Sequence, residues 1–248
     1  MTTLKLAIPS KGRLKEQTEA FFAKAGVTIE ALGGARGYQA RISEIPDIEV
    51  RLLSASEIAS SVIAGDIHAG VSGEDLLREQ AGDLERVAHL LAPLGFGRAD
   101  LVVAAPKSWI DVETMADVDD VGARLEAATG RKLRVATKYV RSTRRFFTTE
   151  GVGHYRVVES AGATEGAPAA GVADLVVDIT TTGATLASNG LKILRDGLIL
   201  ASEAQLAASL DAEWSPQAVG ALRTLMRAIE QTGQSVGRLA RFEAALRG

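Results

Sequence analysis

The chain has 248 residues, no cysteine and a formal net charge of −3. These exclude disulfides, thiolate metal sites and a general electrostatic attraction to nucleic acid or anionic lipid. Hydrophobic residues make up 46% and charged residues 24%, a composition that supports a sizeable core in one or two domains. No apolar run spans a bilayer, and MTTLKLAIPSKGR alternates into a basic turn where a secretory leader would carry an apolar block. A cytoplasmic protein with neither membrane nor nucleic-acid partners is expected. His68, His89 and His154 never share a helical spacing, so no resident metal is expected.

In chain order, Leu4, Leu6 and Ile8 alternate as a strand, and Pro9-Ser10-Lys11-Gly12-Arg13 interrupts them. Leu14, Thr18, Phe21, Phe22 and Ala25 then recur at helical spacing until Gly26. Strand-like runs at Tyr38–Ile42 and Ile48–Leu53 precede Ser54-Ala55-Ser56-Glu57, a capping box opening a helix through Ile58, Val62 and Ile63. Leu101–Ala105, Leu133–Thr137, Tyr155–Glu159 and Leu175–Asp178 read as further strands, with a helix over Val140–Thr149. This order predicts an α/β fold of parallel strands covered by helices on both faces, with ligands at the carboxyl ends of strands. A weak internal echo links Ala64–Leu77 to Ala170–Leu186, each a helix end, a strand, a small polar loop and a new helix. From about Leu206 onward no strand is expected, only two helices split near Gly233.

The stretch DITTTGATLASNG, Asp178–Gly190, combines Thr180, Thr181, Thr182 and Thr185 hydroxyls with backbone donors around Gly183 at a helix start. That suits an anion, and Asp178 could hold ribose hydroxyls or a magnesium-bound group. Equally, the threonines could cap a helix and Asp178 end a strand. The stretch lacks the spacing of the ATPase phosphate loop. Lys11-Gly12-Arg13 follows the first strand, where arginine can grip phosphate bidentately, although a solvated basic turn fits as well. Arg36 sits in a glycine-rich loop that reads as surface. Thr137, Lys138 and Tyr139 occupy another strand-to-helix junction, ahead of solvated Arg141, Arg144 and Arg145. Glu165, in a small-residue loop, could accept from an amino group or cap a helix.

LAIPSKGRL, the loop with Arg36, AGDIHAGVSGEDLL, LGFGRADLVVA, RVATKYV and AGVADLVVDITTTGATLASNGL follow one another from about Leu6 to Leu191. With these motifs the chain resembles the ATP phosphoribosyltransferases in their short form. The resemblance implies two α/β lobes of the periplasmic-binding-protein type II, residues 1–93 plus 188–248 and residues 94–187, with the active site in the cleft between them and a helical C-terminal tail. It implies joining of ATP to phosphoribosyl pyrophosphate with Mg2+ carried by the substrate, which is the first step of histidine biosynthesis. Position by position, Asp178, Thr181, Thr182, Gly183, Ala184 and Thr185 match the loop holding the 5-phosphate. Lys11, Gly12 and Arg13, with Arg36, match basic positions near ATP and the leaving pyrophosphate, and Arg13 and Arg36 are the implied catalytic groups. Gly73, Asp75, Lys138, Tyr139 and Glu165 match further substrate-binding positions.

Two departures stand out. Thr180 and Thr181 occupy positions where the family has valine and then serine or an acid, a conservative change for anion binding. Ser54-Ala55-Ser56-Glu57-Ile58-Ala59 replaces Arg-Ala-x-Asp-x-Pro and removes an arginine at Ser54. The tail after Leu206 is expected to be too short for the regulatory domain of the long form. Short-form resemblance therefore implies a separate regulatory subunit similar to histidyl-tRNA synthetase, with a homodimer inside a hetero-oligomer. Two rivals remain at this point: a two-lobed solute-binding or sensor module, and a salvage-type phosphoribosyltransferase. The latter usually carries two adjacent acids before its loop, whereas Val177 and Ile179 flank Asp178 here.

Overall fold

The computed structural model describes residues 3–32, 38–160, 162–230 and 237–246. The chain begins with β1 (Leu4–Pro9), α1 (Gly12–Lys24), β2 (Ile29–Leu32), β3 (Gln39–Ile42), β4 (Ile48–Leu53), α2 (Ala55–Ile63), β5 (Ala69–Gly73), α3 (Glu74–Gln80), α4 (Leu84–Val87) and β6 (Ala88–Pro93). It continues with β7 (Ala99–Pro106), α5 (Met115–Thr129), β8 (Leu133–Thr137), α6 (Val140–Thr149), β9 (Tyr155–Glu159), a 3-10 turn (Thr164–Gly166), β10 (Leu175–Thr180), α7 (Ala184–Ser188) and β11 (Leu191–Ser202). The last elements are β12 (Ala204–Ser209), α8 (Pro216–Glu230) and α9 (Arg238–Ala245).

Two compact units result, one of Met1–Gly97 with Glu203–Gly248 and the other of Arg98–Ser202. The second boundary thus falls after Ser202 and not at 187/188, because β11 pairs with β7 along the edge of the second unit's sheet.

In the first unit the seven strands run β2-β3-β4-β1-β5-β12-β6. Only β4-β1-β5 are parallel to one another, while β2, β3, β12 and β6 pair antiparallel. The second unit orders its strands β11-β7-β10-β8-β9, with β10-β8-β9 parallel and β7 and β11 antiparallel. Both sheets are therefore mixed, each a parallel trio of the expected kind with antiparallel strands added beside it. The parallel trio in each is what the alternating strand and helix order specified, since a parallel pair needs a crossover.

Local chemistry accounts for the helix boundaries. Ser54 accepts from the Glu57 amide while the Glu57 carboxylate accepts from the Ser54 amide at 2.8 Å, the capping box read from the sequence. Thr114 and Asp117 close α5 in the same way. Helix α2 lies tightly on β5: a Cβ on Gly70 would collide with the Ile58 side chain.

A strand replaces the expected all-helical tail. β12, AQLAAS, is buried along its whole length between β5 and β6, with Leu206, Ala207 and Ala208 fully enclosed. Its side chains are buried on both faces, so it shows no alternation, and alanine is a poor strand former. The helices that follow, α8 and α9, match the helical spacing, whereas their expected split at Gly233 lies outside the described residues. Leu222, Leu225, Met226 and Ile229 of α8 and Phe242 of α9 complete the core of the first unit. Truncating one such leucine to alanine costs about 2–5 kcal/mol.

Candidate functional site

In each unit the parallel trio brings its carboxyl-end loops to one edge of the sheet, and the predicted residues collect there. In the first unit, β1 ends at Lys11-Gly12-Arg13, its neighbour β4 ends at Ser54, and β5 ends at Gly73. Lys11 is the residue before α1 and makes no capping bond with its side chain; Gly12 takes a left-handed φ of 72°. Lys11, Gly12 and Arg13 are all exposed, and no acidic residue occupies the first turn of α1. Lys11 is close enough to Glu57 to help hold that carboxyl below its usual range, after the larger effect of hydrogen bonds from Ser54. Ser54 is consumed as a helix cap, which assigns the departure there a local structural role.

Gly73 and Asp75 form a pair at the next loop. A Cβ on Gly73 would strike the Asp75 carboxylate, so a larger residue there would displace that side chain, and Asp75 is only 6% exposed. Arg36 lies outside the described residues.

In the second unit the parallel strands β8, β9 and β10 bring together the segments starting at Lys138, Ser160 and Thr181. Lys138 is exposed, with its ammonium 5.1 Å from the centre of the Tyr139 ring. The Tyr139 ring is itself 1% exposed, packed as core, so Lys138 is the outward-facing member of that pair. The Tyr139 amide donates to Thr137 Oγ1 at 2.9 Å and shapes the turn. Glu165 sits half-buried in the 3-10 turn.

Asp178 lies two residues inside the end of β10, opposite Val102 of β7, whereas the sequence put it at the strand end. Burial pushes its carboxyl above the ordinary aspartate range and Glu165 adds to this; the Ile179 amide, donating to Oδ1 at 2.8 Å, and Lys138 oppose it. Lys138, Glu165 and Asp178 thus share one electrostatic neighbourhood.

The threonine loop divides its labour. Thr180 Oγ1 accepts from the Gly183 amide at 2.8 Å and folds the loop, and Thr181 Oγ1 donates to the Arg98 carbonyl at 3.4 Å. Gly183 has φ 74°, a conformation that favours glycine. Thr181, Thr182, Ala184 and Thr185 are exposed, and no acid stands in the first turn of α7. Because α7 has only five residues, its dipole is small, and anion binding here would rest on hydroxyls and loop amides.

Two residues that the sequence reading did not single out support this loop. Lys107 Nζ donates to the Ala187 carbonyl at 3.1 Å, and its amide donates to the Gly190 carbonyl at 2.8 Å, pinning the far end of α7. Ile193, on β11, packs its Cδ1 against the face of Gly183. Neither carries a sequence signal, because both act through the pairing of β11 with β7.

A family model described as ATP phosphoribosyltransferase matches residues 54–231. The sequence is 62% identical over 239 residues to an ATP phosphoribosyltransferase of Caulobacter vibrioides, covering 96% of this chain and 74% of that protein. It is 55% identical over 225 residues to one from Nitrobacter winogradskyi, covering 91% and 69%. Among solved structures, the ATP phosphoribosyl transferase (HisG:HisZ) complex from Thermotoga maritima matches with a TM-score of 0.65 and 28% identity, over 92% of this chain and 98% of that one. An ancestral arginine-binding protein bound to arginine matches at 0.50 with 14% identity, over 100% and 99%, a likeness of fold alone. That likeness is the reason a solute-binding module was a rival reading; the sequence identities decide against it. The chain belongs to the ATP phosphoribosyltransferase family, the enzymes of the first step of histidine biosynthesis.

Proposed function

We propose that the chain is a catalytic subunit of the short form, in which the loop from Asp178 to Thr185 receives the ribose 5-phosphate end of phosphoribosyl pyrophosphate. The observation that carries this reading is the loop itself: the exposed threonines Thr181, Thr182 and Thr185, a glycine at φ 74° and no acid in the helix start. Asp178, half-buried and charged with difficulty, suits ribose hydroxyls that donate to it. Lys11, Gly12 and Arg13 take the part of binding ATP and the leaving pyrophosphate, supported by their exposure and by the lack of a first-turn acid in α1. Arg36 shares that role by family resemblance. Gly73, Asp75, Lys138 and Glu165 serve as further substrate contacts, and Tyr139 contributes its backbone turn.

In the reaction, the lone pair of adenine N1 forms a bond to the anomeric carbon as the bond to pyrophosphate breaks, and pyrophosphate leaves with the electron pair. No proton is removed in this step, so the protein needs alignment and positive charge in place of a strong base. Alignment is worth up to about 7 kcal/mol in favourable cases, and one well-placed donor about 3 kcal/mol. Among the described residues no group of three or more His, Cys, Asp or Glu could hold a metal. The oxygen-only donors at the loop, Asp178 and the threonine hydroxyls, fit a magnesium ion that keeps phosphate and water ligands. Carried by the substrate, that ion would supply charge neutralisation on the pyrophosphate.

The Thermotoga maritima structure is a complex of a pair, HisG:HisZ. By analogy we assign this chain a regulatory partner similar to histidyl-tRNA synthetase, and a homodimer within the hetero-oligomer. Among the described residues no helix is long and apolar enough to cross a membrane, in keeping with a cytoplasmic biosynthetic enzyme.

The test is pyrophosphate release by the purified chain with ATP, phosphoribosyl pyrophosphate and magnesium, with and without the regulatory subunit. Release that depends on ATP is expected. Release only with orotate or a free purine base would point to salvage chemistry, and no release in either mixture would refute the assignment.

A further inference from the structure

We propose that a cavity between β6 and α9 in the first unit binds a small phosphate-class anion. The cavity measures about 300 Å³ and is lined by Leu84, Glu85, Ala88, His89 and Leu90 along β6 and the helix before it, and by Arg238 and Arg241 from α9. None of the residues assigned to the reaction lines it.

Arg238 and Arg241 lie three apart on α9 and so share one face. Among the described residues, Arg41, Arg51, Arg78 and Arg223 of this unit each pair with a glutamate, whereas neither Arg238 nor Arg241 forms an ion pair. The one acid in the wall, Glu85, is already engaged by Arg78 at 3.1 Å. Two guanidinium groups thus line the cavity against a single carboxylate, which Arg78 already holds.

The third group is the imidazole of His89. The His89 ring lies 6.2 Å from the Phe242 ring, with the backbone of Arg238 beside it. Burial first, and then repulsion from Arg241 and Arg238, keeps it neutral to lower pH than usual. A dianion entering the cavity would neutralise both guanidinium groups and favour a proton on His89. Two planar forks and an imidazole offer more donors than the two oxygens of a carboxylate can accept, and they match the oxygens of a phosphate. The volume sits at the small end of ligand pockets, which limits the ligand to a phosphate on a compact group.

The three histidines make the test direct. In the intact chain at constant pH and ionic strength, inorganic phosphate, acetate and chloride are titrated while the imidazole NMR resonances are followed. Phosphate is expected to shift the His89 resonance saturably and raise its pKa, while His68 and His154 stay in place; Arg238→Ser and Arg241→Ser should each weaken the response by about tenfold. Should Arg238→Ser unfold the chain, seen as loss of the His68 dispersion, Arg241→Ser, at the more exposed of the two positions, carries the comparison. A His89 resonance unmoved by phosphate, an equal midpoint with acetate, or unchanged midpoints in a folded variant would each overturn the proposal.

Discussion

The two junctions that echo each other in sequence, β5 to α3 and β10 to α7, share a topology and differ in charge. At the first, Gly73 leads directly into Glu74 and Asp75 in the opening turn. The Glu74 amide donates to the Glu203 carbonyl at 3.0 Å, and its carboxylate accepts from Arg78 at 2.8 Å and from Gln205 at 3.1 Å. That helix start is closed by the chain's own carboxylates. At the second, three threonines and Gly183 intervene, the first turn has no acid, and Thr182 and Thr185 are exposed. The difference teaches which of two repeated units can receive an anion: negative charge is built into one helix start, beside Gly73 and Asp75, and withheld from the other.

The contrast can be broken by moving the charge. Ala184→Asp would place a carboxylate in the first turn of α7, as in α3. It should raise the KM for phosphoribosyl pyrophosphate about a hundredfold through like-charge repulsion while leaving the thermal midpoint intact, as steady-state kinetics and calorimetry would show.

A smaller effect is expected from Asp178→Asn, with turnover down about tenfold, in the range set by loss of a charge-assisted hydrogen bond. Its folded-state pKa lies above the unfolded value. Ionising Asp178 therefore costs stability, and that cost sets in as pH rises through the ordinary aspartate range. The asparagine variant should melt higher than the wild type at neutral pH, and the gap should vanish below the unfolded pKa. A lower melting temperature at pH 7 would contradict the reading of Asp178 as strained by function.

The smallest change belongs to the closed junction. Glu74→Gln should cost less than about 1 kcal/mol, the worth of a partly exposed pair, and leave affinity for phosphoribosyl pyrophosphate unaltered. A matching loss of affinity would show that the two junctions are not so different.

Much of this contrast was legible in the sequence. Leu133–Thr137, Val140–Thr149 and Tyr155–Glu159 match the observed elements residue for residue, since their apolar periods are uninterrupted and their loops carry turn residues. β11 was hidden because Arg195-Asp196-Gly197 breaks its pattern at an irregularity between Ile193 and Leu198. There Gly197 lies against Val103, where a Cβ would come within 3.0 Å of the Val103 carbonyl oxygen.

At the site, residue type and order identified the loop and its neighbours. Only coordinates could separate Thr180, turned inward to Gly183, from the exposed Thr182, or show that the Tyr139 ring is core. Those distinctions depend on where neighbouring strands place their loops, and β7 reaches β10 by pairing across 70 or so residues of chain.

The central claim is that the open threonine loop is the 5-phosphate cradle. Calorimetric titration of phosphoribosyl pyrophosphate into the wild type and into Thr182→Val tests it most directly, because the substitution keeps the shape of the side chain and removes one hydroxyl whose only bond within the loop is a long one, 3.4 Å, from the Ala184 amide. Affinity lower by about tenfold, with an unchanged circular dichroism spectrum, is the predicted result. Equal affinity in the two proteins would contradict it.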